Sequence, residues 1–317
     1  MSGRAFALAA VAVIAGGWFA AWLGLNQYYY FAGYVVLQYV VLATAWNILG
    51  GYTGYVNFGT PAFFALGAYT AVVLIKALKA PLLLQLVAGA AVAGLLGLAI
   101  GYLTLRLRGV FFSIATLALA VVLQTMFVNL EYTGSAKGIT LARPPVAPLF
   151  GTYVQFLFAV MVVLAVIAVA TAWWIERSWI GRGLAAIRDN EEAAECMGVP
   201  TLRLKLLATT VSGMLMGLAG APFPFYITFV EPASVFDLNY AVNSIAMPLI
   251  GGTTTWIGPV IGAILLGTAQ QVAMVTISSA LNLLLVGLIL VAFVILAPEG
   301  IVGLVQRLTR RRGERPA

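Results

Sequence analysis

Residues 176–205 read ERSWIGRGLAAIRDNEEAAECMGVPTLRLK and interrupt a chain that is otherwise almost continuously apolar. This charged stretch holds five acidic and five basic residues, although the whole chain of 317 residues has only ten acidic ones. Long apolar segments lie on both sides of it. We interpret the charged stretch as a docking element on the water side of a membrane, through which an embedded chain receives mechanical work from a soluble partner.

The composition excludes a soluble globular domain. The chain is 62% hydrophobic and 9% charged, whereas soluble domains carry about a quarter charged residues. Apolar runs of about 20 residues recur along it, and they lack the alternation of β-barrel strands. The sequence therefore predicts an all-α polytopic membrane protein with about ten transmembrane helices.

The predicted spans follow from these apolar runs. We expect the run from Arg4 to about Leu25 to be a retained first span, although a charged start before an apolar core is also typical of a signal peptide. For the shortest segment, 238–252, two interpretations remain: a re-entrant segment or a span. The other predicted spans are 33–50, 60–77, 82–104, 110–131, 153–175, 205–230, 257–278 and 281–297.

The basic residues predict the orientation. Residues 301–317 carry five arginines against one acidic residue, so this basic tail should be cytoplasmic and contact anionic lipid. With ten spans, the N-terminus and the charged stretch are also cytoplasmic, whereas Lys76 and Lys79 fall outside, against the general rule. We divide the chain into a transmembrane domain, 1–300, which contains the charged stretch, and the tail.

Several classes of function lack the residues they need. The chain has no histidine and one cysteine, Cys196, so we predict no catalytic site and no metal site. The net charge of +7 fits cytoplasmic loops rather than nucleic acid. No acidic or basic residue lies in the middle of a predicted span, which argues against an ion-coupled transporter. No phosphate-binding G-x-x-x-x-G-K-[ST] motif occurs.

Two Gly/Pro-rich segments predict broken or re-entrant helices. Glycine and proline cluster at 50–61 and again at 251–262, between apolar stretches. At membrane depth, irregular backbone is tolerated where it faces protein or a cavity. Loops with tight turns are the alternative, and neutral polar side chains also serve to link helices by hydrogen bonds. Our candidates for a substrate pathway are Asn57, Gly59, Thr60, Thr116, Gly251 and Gly252.

Within the charged stretch we predict a short helix with two defined ends. Asp189 or Asn190 supplies the N-cap, and Asp189 has capping-box spacing to Glu192. Gly198 suits the position after the C-cap, and Pro200 prevents continuation. The result is an exposed helix of about two turns, preceded by a basic amphipathic piece at 181–188. A plain connector between spans is the alternative interpretation.

The helix carries a recognisable signature. Glu192-Ala193-Ala194, three residues and Gly198 resemble the EAA-x3-G signature of bacterial ABC importer permeases. Over about 45–300, the chain resembles permeases of the branched-chain (hydrophobic) amino acid uptake family, the LivM-type rather than the LivH-type subunit. It departs from the family at Asn57-Phe58-Gly59-Thr60, where a Ser-x-Gly-His-like stretch is expected, which puts the substrate in doubt. Five blocks carry the resemblance: GYTGYVNFGTPAFFALGAY (51–69), RGVFFSIATLALA (108–120), TGSAKGI (133–139), GRGLAAIRDNEEAAECMGV (181–199) and LIGGTTTWIGPVIGA (249–263).

The resemblance implies a function and a set of partners. It implies a permease subunit of an ATP-driven importer that forms half of a pathway for branched-chain or other hydrophobic amino acids across the bacterial inner membrane. Urea, short amides or aromatic acids are alternative substrates, and an ion-coupled transporter is the alternative mechanism. Two ABC ATP-binding subunits would hold ATP and magnesium, which need no site in this chain. A LivH-type permease, a periplasmic substrate-binding protein and the lipid bilayer complete the partners, with no nucleic acid. The implied ATPase-coupling residues are Asp189, Asn190, Glu191, Glu192, Ala193, Ala194 and Gly198.

Overall fold

A computed structural model describes residues 3–24, 26–104, 107, 109–143, 150–276, 287–288, 291, 300–304 and 307. Almost all of the regular structure in these ranges is helical. In chain order the helices are α1 (Gly3–Trp22), α2 (Gln27–Thr53), α3 (Thr60–Leu78), α4 (Leu82–Thr104), α5 (Val110–Val128), α6 (Tyr153–Arg177), α7 (Trp179–Asp189), α8 (Glu191–Cys196), α9 (Thr201–Gly220), α10 (Phe223–Ile227), α11 (Pro232–Val235), α12 (Asn239–Gly251) and α13 (Ile257–Thr276).

Within the described ranges, eight segments are long and apolar enough to cross a membrane. They are α1 to α6, the combined α9–α10 segment Thr201–Ile227, and α13. This confirms the prediction of an all-α polytopic membrane protein. The predicted span at 281–297 lies almost wholly outside the described residues, as does most of the basic tail, so the count of ten stays a prediction.

The predicted segment 238–252 forms α12, which is too short to span. Its 13 residues extend about 20 Å at 1.5 Å per residue, whereas the hydrocarbon core is about 30 Å thick. Side-chain hydrogen bonds connect α12 to its neighbours: Asn243 Nδ2 donates to Tyr39 Oη of α2 at 3.2 Å, and Gln270 Nε2 of α13 donates to Asn243 Oδ1 at 2.8 Å. The neutral polar residues here link helices, as one of the two interpretations expected.

The helix ends follow from local chemistry. Helix α2 stops at Gly54, whose φ of +79° places it in the left-handed region while its N–H donates to Gly50 O at 3.0 Å. Proline in the first turn then starts α3. We call the irregular residues 54–59 the first break, and the irregular residues 252–256 between α12 and α13 the second break. Both fall within the Gly/Pro-rich segments recognised in the sequence.

Glycines allow the central helices to approach closely. A methyl group on Gly67 of α3 would collide with the Gly217 carbonyl of α9, and one on Gly217 would lie 2.6 Å from Gly89 O of α4. Helix α2 is buried along most of its length, whereas α1 buries only Ala21. In lipid there is no hydrophobic driving force between helices, so association depends on close van der Waals packing, which small residues at such contacts allow.

Contacts show which segments share an end of the bundle. Strand β1 (Ile139–Thr140) pairs antiparallel with β2 (Phe229–Val230), and Lys76 Nζ at the end of α3 donates to Tyr132 O at 2.9 Å. We call this the far end. The two breaks and the charged stretch lie together at the opposite end, which we call the loop end. The sequence predicted that Lys76 and the charged stretch lie on opposite sides, and this grouping agrees with it.

Candidate functional site

The charged stretch folds into two short helices between α6 and α9. Helix α7 buries Ile180, Leu184 and Ile187 on one face, while Arg182 and Arg188 are exposed on the other. This spacing is that of an amphipathic surface helix. The basic amphipathic piece predicted at 181–188 is therefore present, and it begins earlier because the side chain of Ser178 caps it by accepting from Gly181 N.

Asn190 rather than Asp189 caps α8. Asn190 Oδ1 accepts from Ala193 N at 3.0 Å, whereas Asp189 is the last residue of α7 and its carboxylate lies 3.6 Å from Arg188 Nε. The expected capping-box pairing of Asp189 with Glu192 is therefore wrong, because the helix begins one residue later. The six residues of α8 make about 1.7 turns, in agreement with the predicted length of about two turns.

The other end of α8 is a Schellman motif. Gly198 has a φ of +82°, its N–H donates to Glu195 O at 2.9 Å, and Val199 N donates to Ala194 O at 3.0 Å. The predicted place of Gly198 after the C-cap is confirmed. Helix α8 thus has a defined length that local hydrogen bonds at both ends fix.

The proposed coupling residues divide between an outer and an inner face. Asp189, Asn190, Glu192, Ala193 and Gly198 are exposed, whereas Glu191 is partly buried and Ala194 is buried. Next to them Met197 is 84% exposed, and methionine is among the side chains enriched at protein interfaces. The sequence interpretation missed Met197, although its place just before Gly198 offered a signal.

Glu191 is held by a buried ion pair. Lys205 Nζ of α9 lies 2.5 Å from Glu191 Oε1, with 4% and 14% of the two side chains exposed. Tyr55 Oη of the first break donates to Glu191 Oε2 at 2.5 Å and accepts from Lys205 Nζ at 3.2 Å. The charges are thus paired and hydrogen-bonded, as buried charges must be. Sequence reasoning placed no role on Tyr55 or Lys205.

The candidate pathway residues near the first break come together. The side-chain oxygens of Asn57 and Thr116 bond to that break, whereas the buried Thr60 hydroxyl has no hydrogen-bond partner in the described part of the chain. Asn57 Oδ1 accepts from Gly59 N at 2.7 Å, and Thr116 Oγ1 of α5 accepts from Phe58 N at 3.1 Å. Asn57, Thr60 and Thr116 are at most 3% exposed. These contacts fasten the first break to the first two turns of α5. A role in a pathway stays a prediction.

The second break packs closely against the end of α2. A methyl group on Gly251 would collide with Gly258 O, and one on Gly51 would lie 2.7 Å from Thr253 O. Gly252 has a φ of +118°, which favours glycine. The pathway candidates Gly251 and Gly252 therefore have a structural reason to be glycine, and lining a pathway stays a prediction for them as well.

Glu176, in the last turn of α6, contacts the second break. Its Oε2 accepts from the backbone N–H of Trp256 at 2.5 Å and from Tyr52 Oη at 3.4 Å. Within the described ranges, no three His, Cys, Asp or Glu residues lie close enough together to hold a metal ion. The arrangement offers ion pairs and hydrogen bonds that join a projecting helix to two irregular segments.

Comparisons with known proteins show which family this chain resembles. Residues 28–294 match the family described as branched-chain amino acid transport system, permease component. The LivM permease protein of the high-affinity branched-chain amino acid transport system from Escherichia coli (strain K12) is 26% identical over 294 residues, covering 84% of this chain and 68% of the relative. The LivM protein of Salmonella typhimurium is 26% identical over 292 residues, with the same coverage of both chains.

More partial matches reach permeases of other transport systems. The ribose import permease protein RbsC of Haemophilus influenzae is 30% identical over 125 residues, which cover 37% of this chain and 36% of the relative. No solved structure gives a significant match. Because the family match extends over most of the described helices, the chain belongs to the family of permease components of branched-chain amino acid transport systems, as a LivM-type member.

Proposed function

We propose that this chain is the membrane subunit of an ATP-driven amino acid importer and that α8 is its docking helix for a separate ATP-binding subunit. The observation that carries the docking role is the capped, projecting α8 at the loop end. Its signature residues Glu192, Ala193 and Gly198 are exposed around Met197. The family supports the transport function, and the geometry of α8 supports a role as the surface on which work would be received.

The structure of α8 suits a docking element better than a plain connector. Helices of this length are marginal in water by themselves. Here the caps at Asn190 and Gly198 and the ion pair of Glu191 hold the helix in one orientation while its outer face stays exposed. A connector needs neither a fixed length nor an apolar side chain such as Met197 at its tip.

The remaining partners follow from the family and from the exposed surfaces. We propose two ATP-binding subunits, which hold ATP and magnesium, a second permease of LivH type and a periplasmic substrate-binding protein, in the bacterial inner membrane with both termini cytoplasmic. Helix α5 exposes Phe111, Ile114 and Met126 at 70%, 57% and 61%. An apolar face of this extent suits contact with lipid or with the second permease. In the complex, each of the two permeases would form half of the pathway.

For the substrate we propose branched-chain or other hydrophobic amino acids. The LivM relatives match along most of this chain, whereas the sugar permease matches over about a third of it. Urea, short amides and aromatic acids remain as alternatives because Asn57–Thr60 departs from the expected family stretch. Uptake assays with the substrate-binding protein of the same system, loaded in turn with each class, distinguish them.

Co-purification with the ATP-binding subunits tests the docking role. We expect the double variant Glu192→Lys, Gly198→Pro to lose both assembly and ATP-driven uptake, because it changes the exposed face and the end of α8. Lys137→Glu, an exposed charge change at the far end, is the matched control and should assemble normally. Normal assembly and transport by the double variant would show that α8 is not the docking helix. Uptake by the purified chain alone in ATP-free vesicles would instead favour an ion-coupled transporter.

A further inference from the structure

Two acidic residues of the charged stretch each contact one of the two breaks. Glu191, the first residue of α8, accepts a hydrogen bond from Tyr55 in the first break. Glu176, one turn before α7, accepts a hydrogen bond from the backbone N–H of Trp256 in the second break. The charged stretch is thereby joined to both irregular segments of the membrane bundle.

We infer that Glu191 and Glu176 are positioning residues that transmit displacement of α8 to the two breaks, with Tyr55 and Lys205 completing the first link. The inference rests on the proposed docking of α8 and goes beyond it. Through these side chains, a displacement of the loop reaches helices that cross the membrane.

The first link is tight enough to move as one unit. Glu191 Oε1 is 2.5 Å from Lys205 Nζ, and Tyr55 Oη bridges the two charged groups at 2.5 and 3.2 Å. Only 4% of the Lys205 side chain is exposed, so water cannot readily replace either partner if they separate. Displacing α8 therefore displaces the start of α9 and the first break together.

The first break passes this displacement to α5. The ring of Tyr55 meets that of Phe112 edge-on, with centroids 5.2 Å apart. Ser113 Oγ donates to Val56 O at 2.9 Å, and Thr116 Oγ1 accepts from Phe58 N at 3.1 Å. Because only Phe112, Thr116 and Ala120 of α5 are buried, few contacts within the described part of the chain oppose its movement. Helix α5 is the element that the first link can shift.

The second link acts through the backbone. Glu176 Oε2 lies 2.5 Å from Trp256 N, and the same helix end continues through Ser178 into α7. The end of α2 just before the first break also lies against the second break, since Gly51 packs against the Thr253 carbonyl. A displacement of the loop therefore reaches α13 through Trp256 at the same time as it reaches α5 through Tyr55.

Tyr55→Phe tests the first link with minimal change in packing. It keeps the ring and its contact with Phe112 but removes the hydroxyl group that bridges Glu191 and Lys205. Tyr30→Phe is the matched control, because Tyr30 is 2% exposed and its hydroxyl donates to Ala20 O at 2.9 Å, away from the loop. Both variants lose one tyrosine hydroxyl from a buried environment.

The measurement is the amount of amino acid imported per ATP hydrolysed by the reconstituted complex. For Tyr55→Phe we expect this ratio to fall about 5-fold or more, the lower range of coupling between linked sites, while ATP hydrolysis continues in the partner subunits. Tyr30→Phe should keep the wild-type ratio. A purely structural role for Tyr55 would lower the yield of complex without changing the ratio, and that result would overturn the first link.

Glu176→Ala and Glu176→Gln test the second link. Glutamine retains an acceptor for Trp256 N and should keep the ratio, whereas alanine removes the acceptor and should lower it. Wild-type ratios in both Tyr55→Phe and Glu176→Ala would overturn the inference and leave the docking of α8 intact. Failure of the wild-type chain to assemble with any ATP-binding subunit would overturn the docking proposal itself, and the inference with it.

Discussion

Replacing Glu191 by glutamine should destabilise the chain more than replacing Lys205 by methionine. The glutamine variant removes the Glu191 carboxylate from the Lys205 ammonium group, whose side chain is 4% exposed and keeps the Tyr55 hydroxyl and ring. The methionine variant leaves the Glu191 carboxylate, at 14% exposure, with the hydrogen bond from Tyr55. The more deeply buried charge therefore loses its counter-charge in the first variant.

The magnitudes follow from this difference in burial. Removing one partner of a buried ion pair costs about 3–5 kcal/mol. We expect about 2–3 kcal/mol for Glu191→Gln, because the amide oxygen can still accept a hydrogen bond from the ammonium group. For Lys205→Met we expect about 1–2 kcal/mol. The double variant forms a neutral pair of similar volume and should lie within about 1 kcal/mol of wild type, with a residual cost because Glu191 favours the first turn of α8.

Denaturant or thermal unfolding of the purified chain in detergent measures these differences. The expected order of destabilisation is Glu191→Gln, then Lys205→Met, then the double variant. Since the two residues are in direct contact, the double-mutant cycle should show strong non-additivity. Additive effects, or a change below about 0.5 kcal/mol for Glu191→Gln, the level of an ordinary surface substitution, would show that the ion pair does not hold α8 in place.

Three further predictions concern close packing and the ends of α8. Gly67→Ala should lower the free energy of unfolding by about 1–3 kcal/mol, because the added methyl overpacks against Gly217. The control Gly16→Ala has nothing within 4 Å of the added methyl and should leave the unfolding midpoint unchanged. Equal effects of the two variants would contradict this packing. Gly198→Ala places a side chain on a residue with a left-handed φ of +82°, which costs about 1–2 kcal/mol. In a titration this variant should bind the ATP-binding subunit more weakly, and the unfolding midpoint of the bundle should not fall. Asn190→Ala should weaken the same binding by about 1 kcal/mol, whereas Asn190→Asp should retain it because aspartate caps equally well.

The spans could be predicted from the sequence because apolar length alone requires them. A helix such as α6, Tyr153–Arg177, needs no knowledge of its neighbours to be recognised as long enough for the hydrocarbon core. For α12 the predicted segment 238–252 matches the helix Asn239–Gly251 within one residue at each end. The sequence left open whether this segment spans or is re-entrant. Apolar character shows that a segment is buried in lipid or protein, and it does not distinguish the two.

The ends of α8 were predictable within one residue, because caps are local chemistry. Asp189 and Asn190 are both good N-cap residues, and the choice between them depends on where α7 ends. Helix α7 continues to Asp189 because its buried residues Ile180, Leu184 and Ile187 set its position against the bundle. That packing is a tertiary property, so the sequence could name the two candidates and could not choose between them.

The link between Glu191, Lys205 and Tyr55 could not be predicted, since it joins residues far apart in sequence. Tyr55 precedes Glu191 by 136 positions, and Lys205 follows it by 14. Each residue has a plausible local role alone: a charge in a helix's first turn, a basic residue near the membrane surface, an aromatic residue in a loop. Only the folded chain shows that three segments bring these groups within hydrogen-bonding distance.

The candidate pathway residues show why a break and a pathway look alike in sequence. Breaking a span frees backbone N–H groups that lipid cannot satisfy, so the nearest polar side chains are used first for that purpose. Asn57 accepts from Gly59 N, and Thr116 accepts from Phe58 N. Polar residues beside glycine and proline therefore indicate a broken helix directly, and they indicate substrate contact only if groups remain available after the backbone is satisfied.

The positions of the family-like blocks explain what the resemblance can and cannot reveal. Segments 51–69, 181–199 and 249–263 all contribute to the loop end, where Tyr55 contacts Glu191 and Gly51 contacts Thr253. Segment 108–120 joins them there through the hydrogen bonds of α5 to the first break. Most of the recognisable sequence thus lies where α8 would receive force, away from the far end where a binding protein would deliver its ligand. For this reason the resemblance specifies how the chain is driven more sharply than which amino acid it carries.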